Sequence, residues 1–168
     1  MFLKEIPLRL TVYTDFSLRL LIYLALKDNG FATIGEVAES YGISRNHLMK
    51  VAHQLGVGGY VATVRGKNGG LRLARPPETI VVGELVRRTE PDLALVPCFH
   101  PINAPCAIRP GCVLREAMQQ ASEAFLKALD GYTLADLVRP RAHMQALLSI
   151  LPDAGGHGIP RPATSSPT

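Results

Sequence analysis

The sequence contains no tryptophan, and Phe and Tyr together make up only 6% of it. It also lacks a hydrophobic run approaching the about 20 residues that cross a bilayer, since its best candidate, residues 18–26, is short and contains Arg19. No apolar segment with a small-residue cleavage site opens the sequence, so we expect no export signal. These absences predict a cytoplasmic protein with no membrane partner.

A strong excess of one charge sign is absent from the whole chain but present in its first half. The net charge of the 168 residues is only +4. Residues 1–75 hold 10 Lys and Arg against 5 Asp and Glu, whereas residues 76–168 hold 8 against 9. A basic first half indicates contact with a polyanion such as nucleic acid.

The signatures of an enzyme are missing as well. No paired carboxylates lie in an evident cleft, and no Cys and His form a pair with a clear base role. The Gly-rich stretch 65–70 could be read as a phosphate loop, but it lacks the Gly-Lys-Ser/Thr ending of a nucleotide-binding loop. We therefore expect a protein without catalytic residues.

Three amphipathic helices are predicted in the first half. The first runs from Thr14, as the N-cap, to Lys27, with Asp15 in its first turn. The second opens on Thr33 and Glu36, which match a capping box, and the third follows Gly42 and starts at Ser44. Two short helices joined by a tight turn are typical of a helix-turn-helix, although an ordinary helical hairpin has the same pattern.

The polar face of the third helix favours the DNA-binding alternative. Its donors concentrate at the N-terminal end, where a recognition helix reaches base edges, and the helix contains no acidic residue. Two strand-like runs, 60–64 and 71–74, then flank a basic, Gly-rich turn that predicts a β-hairpin wing. The candidate DNA-binding residues are Thr33, Ser44, Arg45, Asn46, His47, Lys50, Arg65, Lys67 and Asn68.

The second half is organised around a long loop and a long helix. A short helix is predicted over residues 79–89, and five prolines exclude a regular helix from 91 to 112. A long helix follows over 113–129, with an apolar stripe suited to core packing or to a dimer seam. A further turn is predicted over 133–138. The predicted domains are a winged helix-turn-helix at 8–75, a loop and dimerisation helix at 76–138, and a partly disordered C-terminal tail at 139–168.

Cysteine is scarce, but all three cysteines lie within 15 residues of the loop, at positions 98, 106 and 112. An odd number in a reducing compartment argues against a disulfide framework. Thiolates are soft ligands that suit iron–sulfur clusters, zinc or copper(I), and Cys112 stands at a helix start, where an anion is favoured. The spacing alone leaves open three unligated thiols, or a zinc site with His100 as a fourth ligand.

The chain resembles the iron–sulfur winged-helix transcription regulators of the NsrR/IscR family. The resemblance covers about residues 8–138 and rests on the cysteine triplet together with three stretches: LRLTVYTDFSLR (8–19), RGKNGGLRLA (65–74) and DGYTLADLV (130–138). The last stretch and the wide first cysteine gap are most similar to the nitric-oxide-sensing branch of the family.

The resemblance implies a mainly α fold with a small β-hairpin wing and a homodimer that binds a pseudo-palindromic operator on double-stranded DNA. It implies that Cys98, Cys106 and Cys112 ligate an iron–sulfur cluster, [4Fe–4S] rather than [2Fe–2S], and that Asp15 from the partner subunit is the remaining ligand. The implied function is repression that ends when nitric oxide nitrosylates the cluster. A regulator of cluster assembly, or a zinc- or thiol-based redox sensor, is the alternative.

Overall fold

The computed structural model describes residues 9–28, 30–66, 69–99 and 106–150. Over these ranges it contains seven α-helices, one two-stranded antiparallel sheet and three single 3-10 turns, at Pro77–Thr79, Pro97–Phe99 and Arg109–Gly111. The helices are α1 (Val12–Leu26), α2 (Ile34–Tyr41), α3 (Arg45–Val57), α4 (Val82–Thr89), α5 (Val113–Asp130), α6 (Leu134–Leu137) and α7 (Arg141–Leu147), and the strands are β1 (Val61–Val64) and β2 (Gly70–Leu73). The predicted mainly α fold with a hairpin wing is confirmed.

Helix α1 lies at the centre of the molecule and packs against α2, α3, α4, α6, α7 and β2. Leu20, Leu21 and Leu26 on this helix are completely buried. Because neighbours cover α1 on several sides, the buried surface is wider than the single stripe that the sequence pattern predicts. No helix in the described part of the chain is both long and apolar enough to cross a membrane.

The predicted start of α1 is wrong by one turn. Thr11, not Thr14, is the N-cap, because its hydroxyl accepts the backbone N–H of Thr14 at 3.3 Å. The Thr14 side chain is completely buried and donates its hydroxyl proton to Thr89 Oγ1 at 2.8 Å. Both residues are good caps by type, and the contact with α4 decides between them.

Helices α2 and α3 form the predicted helix-turn-helix. The Thr33–Glu36 capping box is present, and Gly42 ends α2 in the left-handed conformation at φ 64°. Ser44 is the N-cap of α3, but its side chain makes no capping hydrogen bond, and α3 continues past Gly56 to Val57. The apolar faces of the two helices meet α1 through Val37, Leu48 and Leu55, which are all buried.

The wing is anchored at its base to the segment before α2. Strands β1 and β2 pair in register from Val61 opposite Leu73 to Val64 opposite Gly70. Ala32 and Leu71 exchange two backbone hydrogen bonds at 3.0 and 2.8 Å. A Cβ at position 70 would lie only 2.8 Å from the Ala32 carbonyl oxygen, so glycine is required there. The hairpin therefore has a fixed orientation relative to the helix-turn-helix.

Helix α5 extends beyond the core and is held to α4 by a bidentate ion pair. Arg87 donates to both carboxylate oxygens of Asp130, at 2.6 and 2.7 Å, and the guanidinium lowers the pKa of that carboxyl below its ordinary value. The helices approach closely at Gly83, where an added Cβ would collide with the Asp130 carboxylate. The predicted bounds of α5 are confirmed to within one residue.

No residue of α5 is buried, so its apolar stripe is not part of the core of this chain. Val113 is 75% exposed, Leu114 60% and Phe125 44%. Between and beside them lie small residues that are also exposed: Ala117, Ala121, Ala124 and Ala128. Of the two interpretations of the stripe, core packing is excluded and a surface seam remains.

Helix α7 lies in the region that the sequence analysis assigned to a C-terminal tail. It follows α6, which opens on a Thr133–Asp136 capping box. Arg141 donates to the carbonyl oxygens of Ala25 at 2.7 Å and Leu26 at 3.0 Å, and Gln145 also donates to Leu26 at 2.7 Å. These side chains satisfy carbonyl groups that the end of α1 leaves without helical partners.

We predict that Gly83→Ala destabilises the fold. Alanine favours a helix over glycine by about 1 kcal/mol, but overpacking typically costs about 1–3 kcal/mol, and the Asp130 carboxylate cannot move freely while it is bound by Arg87. Urea unfolding should therefore show a lower midpoint.

Gly56→Ala is the matched control, because the nearest atom to its added Cβ is the Val61 carbonyl oxygen at 3.7 Å. This variant should be as stable as the parent or more stable by up to about 1 kcal/mol. Equal gains in stability for the two variants would contradict a tight α4–α5 approach.

Candidate nucleic-acid interface and metal centre

The candidate DNA-reading face lies at the N-terminal end of α3. The side chains of Arg45, Asn46, His47 and Lys50 are all exposed, as is Ser44, whereas Leu48 and Val51 on the opposite face are buried. The helix thus offers four side chains with hydrogen-bond donors at the end that can enter a major groove. The structure brings these predicted residues together on one face.

Two of these side chains also contact neighbouring helices. The His47 ring lies 6.2 Å from the ring of Phe16 on α1, with an interplanar angle of 36°. The Arg45 guanidinium lies beside Gly35 in the first turn of α2, where an added Cβ would be 3.5 Å from Nη2. A movement of α1 would therefore displace His47 on the reading face. The sequence gives no signal for this contact between α1 and α3.

Two further predicted DNA-binding residues, Thr33 and Arg65, are exposed outside α3. Thr33 is exposed at the start of α2, with its hydroxyl engaged as the acceptor of the Glu36 backbone N–H. Arg65 is exposed at the end of β1. Lys67 and Asn68 lie outside the described residues.

A buried joint connects the start of α1 with the end of α4. Besides the Thr14–Thr89 hydrogen bond, the Glu90 carboxylate accepts the backbone N–H of Thr11 at 2.7 Å and its hydroxyl at 3.1 Å. Glu90 is only 9% exposed. The segment that carries the three cysteines, residues 91–112, is called the cysteine segment. It begins directly after this joint, so its first residues lie beside the first turn of α1.

Asp15 lies in that first turn of α1 and is paired with Arg19 one turn later. Arg19 Nε lies 2.9 Å from Asp15 Oδ2, and the side chains are 43% and 44% exposed. The Arg19 guanidinium also lies over the Tyr41 ring, 5.6 Å from its centre. Burial raises the pKa of Tyr41 to about 12, so this ring stays uncharged at neutral pH. Asp15 is accessible, but it is already neutralised within its own chain.

The three cysteines are free thiols, and the structure does not bring all three together at one point. Cys98 lies in the 3-10 turn that follows α4 and is half-buried, and Cys106 is exposed. Cys112 is the N-cap of α5 and is half-buried. Among the described residues, no three His, Cys, Asp or Glu side chains converge on a common point. His100 lies outside those residues.

The chemistry of this donor set fits an iron–sulfur cluster. Clusters are held by cysteine thiolates, usually four of them, and this chain supplies three that are not committed to a disulfide. Cys112 stands at the N-terminus of an 18-residue helix, where the helix dipole favours a negatively charged group. One ligand position is left for a residue from elsewhere, and the accessible Asp15 is a candidate.

The comparison with protein families decides the class of this protein. A family model described as Rrf2, an iron-dependent transcriptional regulator, matches residues 10–140. The chain belongs to the Rrf2 family. Transcription regulation by an Rrf2 protein requires DNA binding, and the predicted regulator without enzymatic activity is thereby confirmed.

Three similar curated proteins have the same name. The HTH-type transcriptional regulator NsrR of Bacillus licheniformis is 48% identical over 143 residues, which cover 84% of this chain and 100% of that protein. NsrR of Geobacillus kaustophilus is 46% identical, covering 84% and 97%, and NsrR of Bacillus subtilis is 47% identical, covering 85% and 99%.

Solved Rrf2-type structures share the fold. IscR of T. potens superposes with a TM-score of 0.65 at 24% identity, covering 83% of this chain and 92% of that one. CymR, the global cysteine regulator of B. subtilis, has a TM-score of 0.63 at 24% identity, covering 77% and 95%. At this identity the likeness supports the winged-helix architecture and nothing more specific.

We predict that Arg65→Ala weakens binding to all double-stranded DNA sequences alike. Loss of one phosphate contact should reduce the slope of log affinity against log salt concentration by about one unit. Fluorescence anisotropy with one specific and one unrelated duplex, at several salt concentrations, measures the slope. Arg139→Ala is the control, because that side chain is 76% exposed and lies beyond α6. An unchanged slope for Arg65→Ala would exclude a phosphate contact by this residue of the wing.

Proposed function

We propose that this protein is an iron–sulfur-dependent transcriptional repressor that senses nitric oxide. The observation that carries the proposal is the trio of free thiols in the segment between α4 and α5 of an Rrf2 winged-helix protein. The identity to regulators named NsrR, near 47% over almost their full length, supports the same conclusion. An assembly regulator of the IscR type shares only the fold at 24% identity.

Cys98, Cys106 and Cys112 are the proposed ligands of a [4Fe–4S] cluster, with Asp15 of the second subunit as the fourth. When bound, the cluster supplies iron that reacts with nitric oxide. A carboxylate is a harder ligand than a thiolate, so the iron held by Asp15 would be the more weakly held. For Asp15 to act as a cluster ligand, its ion pair with Arg19 has to open. The 44% exposure of the Asp15 side chain permits this.

The exposed stripe of α5 is the proposed homodimer interface. Val113, Leu114 and Phe125 are large apolar side chains on a helix that has no buried residue. Exposed alanines between them allow the close approach of a second helix. Pairing of two α5 helices would give a two-fold symmetric molecule with two reading faces, as a pseudo-palindromic operator requires.

The fold provides a short path from the cysteine segment to the reading face. If Asp15 of the other subunit ligates the cluster that the cysteine segment holds, the first turn of α1 would be restrained. From there, Phe16 contacts His47 on α3, and the Glu90–Thr11 joint fixes the same turn to α4. When the cluster is lost and these ligands are released, the cysteine segment no longer restrains α1. The two recognition helices then lose their fixed separation. A coupling of about 1–3 kcal/mol, or about 5- to 150-fold in affinity, would make an effective switch.

We predict that Cys106→Ala abolishes iron and sulfide binding and reduces operator affinity by at least about fivefold, while the variant remains folded. Cys106 is exposed and contributes nothing to the core, so the loss would reflect ligation. Anaerobic purification, iron and sulfide analysis and a DNA-binding titration measure it. Ile108→Ala, at a neighbouring position that is 66% exposed, is the control and should retain both properties.

The parent protein decides between the alternatives in the same experiment. Anaerobic protein that is colourless, lacks iron and sulfide and still binds its operator fully would contradict the proposal, and zinc in the metal analysis would favour a zinc regulator. Loss of operator binding on iron starvation but not on nitric oxide exposure would favour a regulator of cluster assembly.

We predict that Phe125→Glu converts the dimer into a monomer. A carboxylate in the middle of the apolar stripe would be desolvated without a partner on association. Sedimentation velocity should show a mass of one chain, with unchanged helical content by circular dichroism. Glu123→Gln, on another face of the same helix, should remain dimeric. A dimeric Phe125→Glu protein would exclude α5 as the interface.

A further inference from the structure

The two ends of the cysteine segment are joined by one side-chain contact. The Arg115 guanidinium carbon lies 5.8 Å from the centre of the Phe99 ring. Phe99 directly follows Cys98, and Arg115 lies three residues after Cys112. A cation over an aromatic face within about 6 Å is attracted to it. The contact therefore closes a loop that begins at the first cysteine and ends at the last.

Helix geometry places Arg115 on the same side of α5 as the last cysteine. Cys112 is the N-cap, and residues three positions apart in a helix are neighbours on its surface. The half-buried positions that follow, Met118, Ser122 and Leu126, continue this side of the helix. Arg115 thus lies in the first turn of α5, on its half-buried side and next to the candidate metal centre.

The Arg115 side chain also has an unused donor. Its Nε atom is buried and has no hydrogen-bond partner in the described part of the chain. Buried donors are normally satisfied, and an unpaired one on a charged group is unfavourable. The ion pairs found among the described residues do not include Arg115, so no carboxylate there neutralises it. A negatively charged acceptor near Cys98 and Cys112 would accept the Nε–H of Arg115 and neutralise its positive charge.

We propose that Arg115 is a positioning residue of the metal centre. Stacked on Phe99, it holds Cys98 and Cys112 near each other before any metal binds, and its Nε–H donates to a ligand sulfur once the cluster is in place. The donor role of Arg115 rests on the proposed function. Hydrogen bonds to cluster sulfurs and neighbouring positive charge tune the reduction potential of iron–sulfur sites.

The first test uses the metal-free full chain, with Cys106→Ser in all samples so that only Cys98 and Cys112 remain. Diamide oxidises the two thiols to a disulfide and takes up their two electrons and two protons. The rate reports the population of conformations in which the two sulfur atoms are close enough to react. A cation–π contact of this kind corresponds to roughly a two- to fivefold change in that population. Arg115→Gln and Phe99→Leu should slow the reaction by this factor, and Arg115→Lys should restore most of the rate.

The second test uses the anaerobic, cluster-loaded protein. Arg115→Gln should lower the midpoint reduction potential of the cluster, because a donor and a positive charge are lost, and Arg115→Lys should lower it less. Arg109→Gln is the matched control: it removes an exposed arginine from the same segment and should change neither the potential nor the disulfide rate.

The outcomes separate this inference from the proposed function. Parent protein without iron and sulfide would overturn the proposed function and, with it, the donor role of Arg115. Parent protein that holds the cluster, together with Arg115→Gln unchanged in disulfide rate and potential, would overturn the role of Arg115 alone. A slower disulfide rate with an unchanged potential would overturn the donor role and leave the stacking contact.

Discussion

A small set of buried and partly buried hydrogen bonds joins the beginning of α1 to the end of α4, and it constrains the part of the fold from which the cysteine segment departs. Thr14 donates to Thr89, and Glu90 accepts both polar hydrogens of Thr11. A buried carboxylate is tolerated only when it is well bonded, and the two hydrogen bonds from Thr11 meet this requirement for Glu90. The joint therefore fixes where the cysteine segment leaves the fold and how α1 is oriented.

Because α1 is the central helix, a restraint at its first turn reaches most of the molecule. Phe16 touches the reading face through His47, and the last turn of α1 contacts α7. The α1–α4 joint, the Arg87–Asp130 pair and the Phe99–Arg115 contact form a sequence of short links around the cysteine segment. Each link includes a polar or charged group, and ion pairs such as Arg87–Asp130 contribute little net stability when they are exposed.

Local signals in the sequence were enough to predict much of the fold. The Thr33 capping box and Gly42 mark the helix-turn-helix within a few residues, and prolines exclude a helix between α4 and α5. The choice of Thr11 over Thr14 as N-cap was out of reach, because it depends on Thr89, far away in the chain. The Phe99–Arg115 contact was equally hidden, since spacing identifies the thiols but not the contacts between side chains that lie beside them. Residues 139–150 contain good helix formers such as Ala142, Met144 and Gln145. The position of α7 was nevertheless out of reach, because it depends on contacts with α1.

Those contacts have a practical consequence for the choice of fragment boundaries. The match to the Rrf2 family ends at residue 140, one position before Arg141. A fragment trimmed to that match would keep every part of the winged helix and the whole cysteine segment. It would nevertheless remove the guanidinium and the amide that cover the last carbonyl groups of α1. The most central helix would then lose the side-chain donors to its last carbonyl groups, and α1 would be weakened at the end opposite to the candidate metal centre.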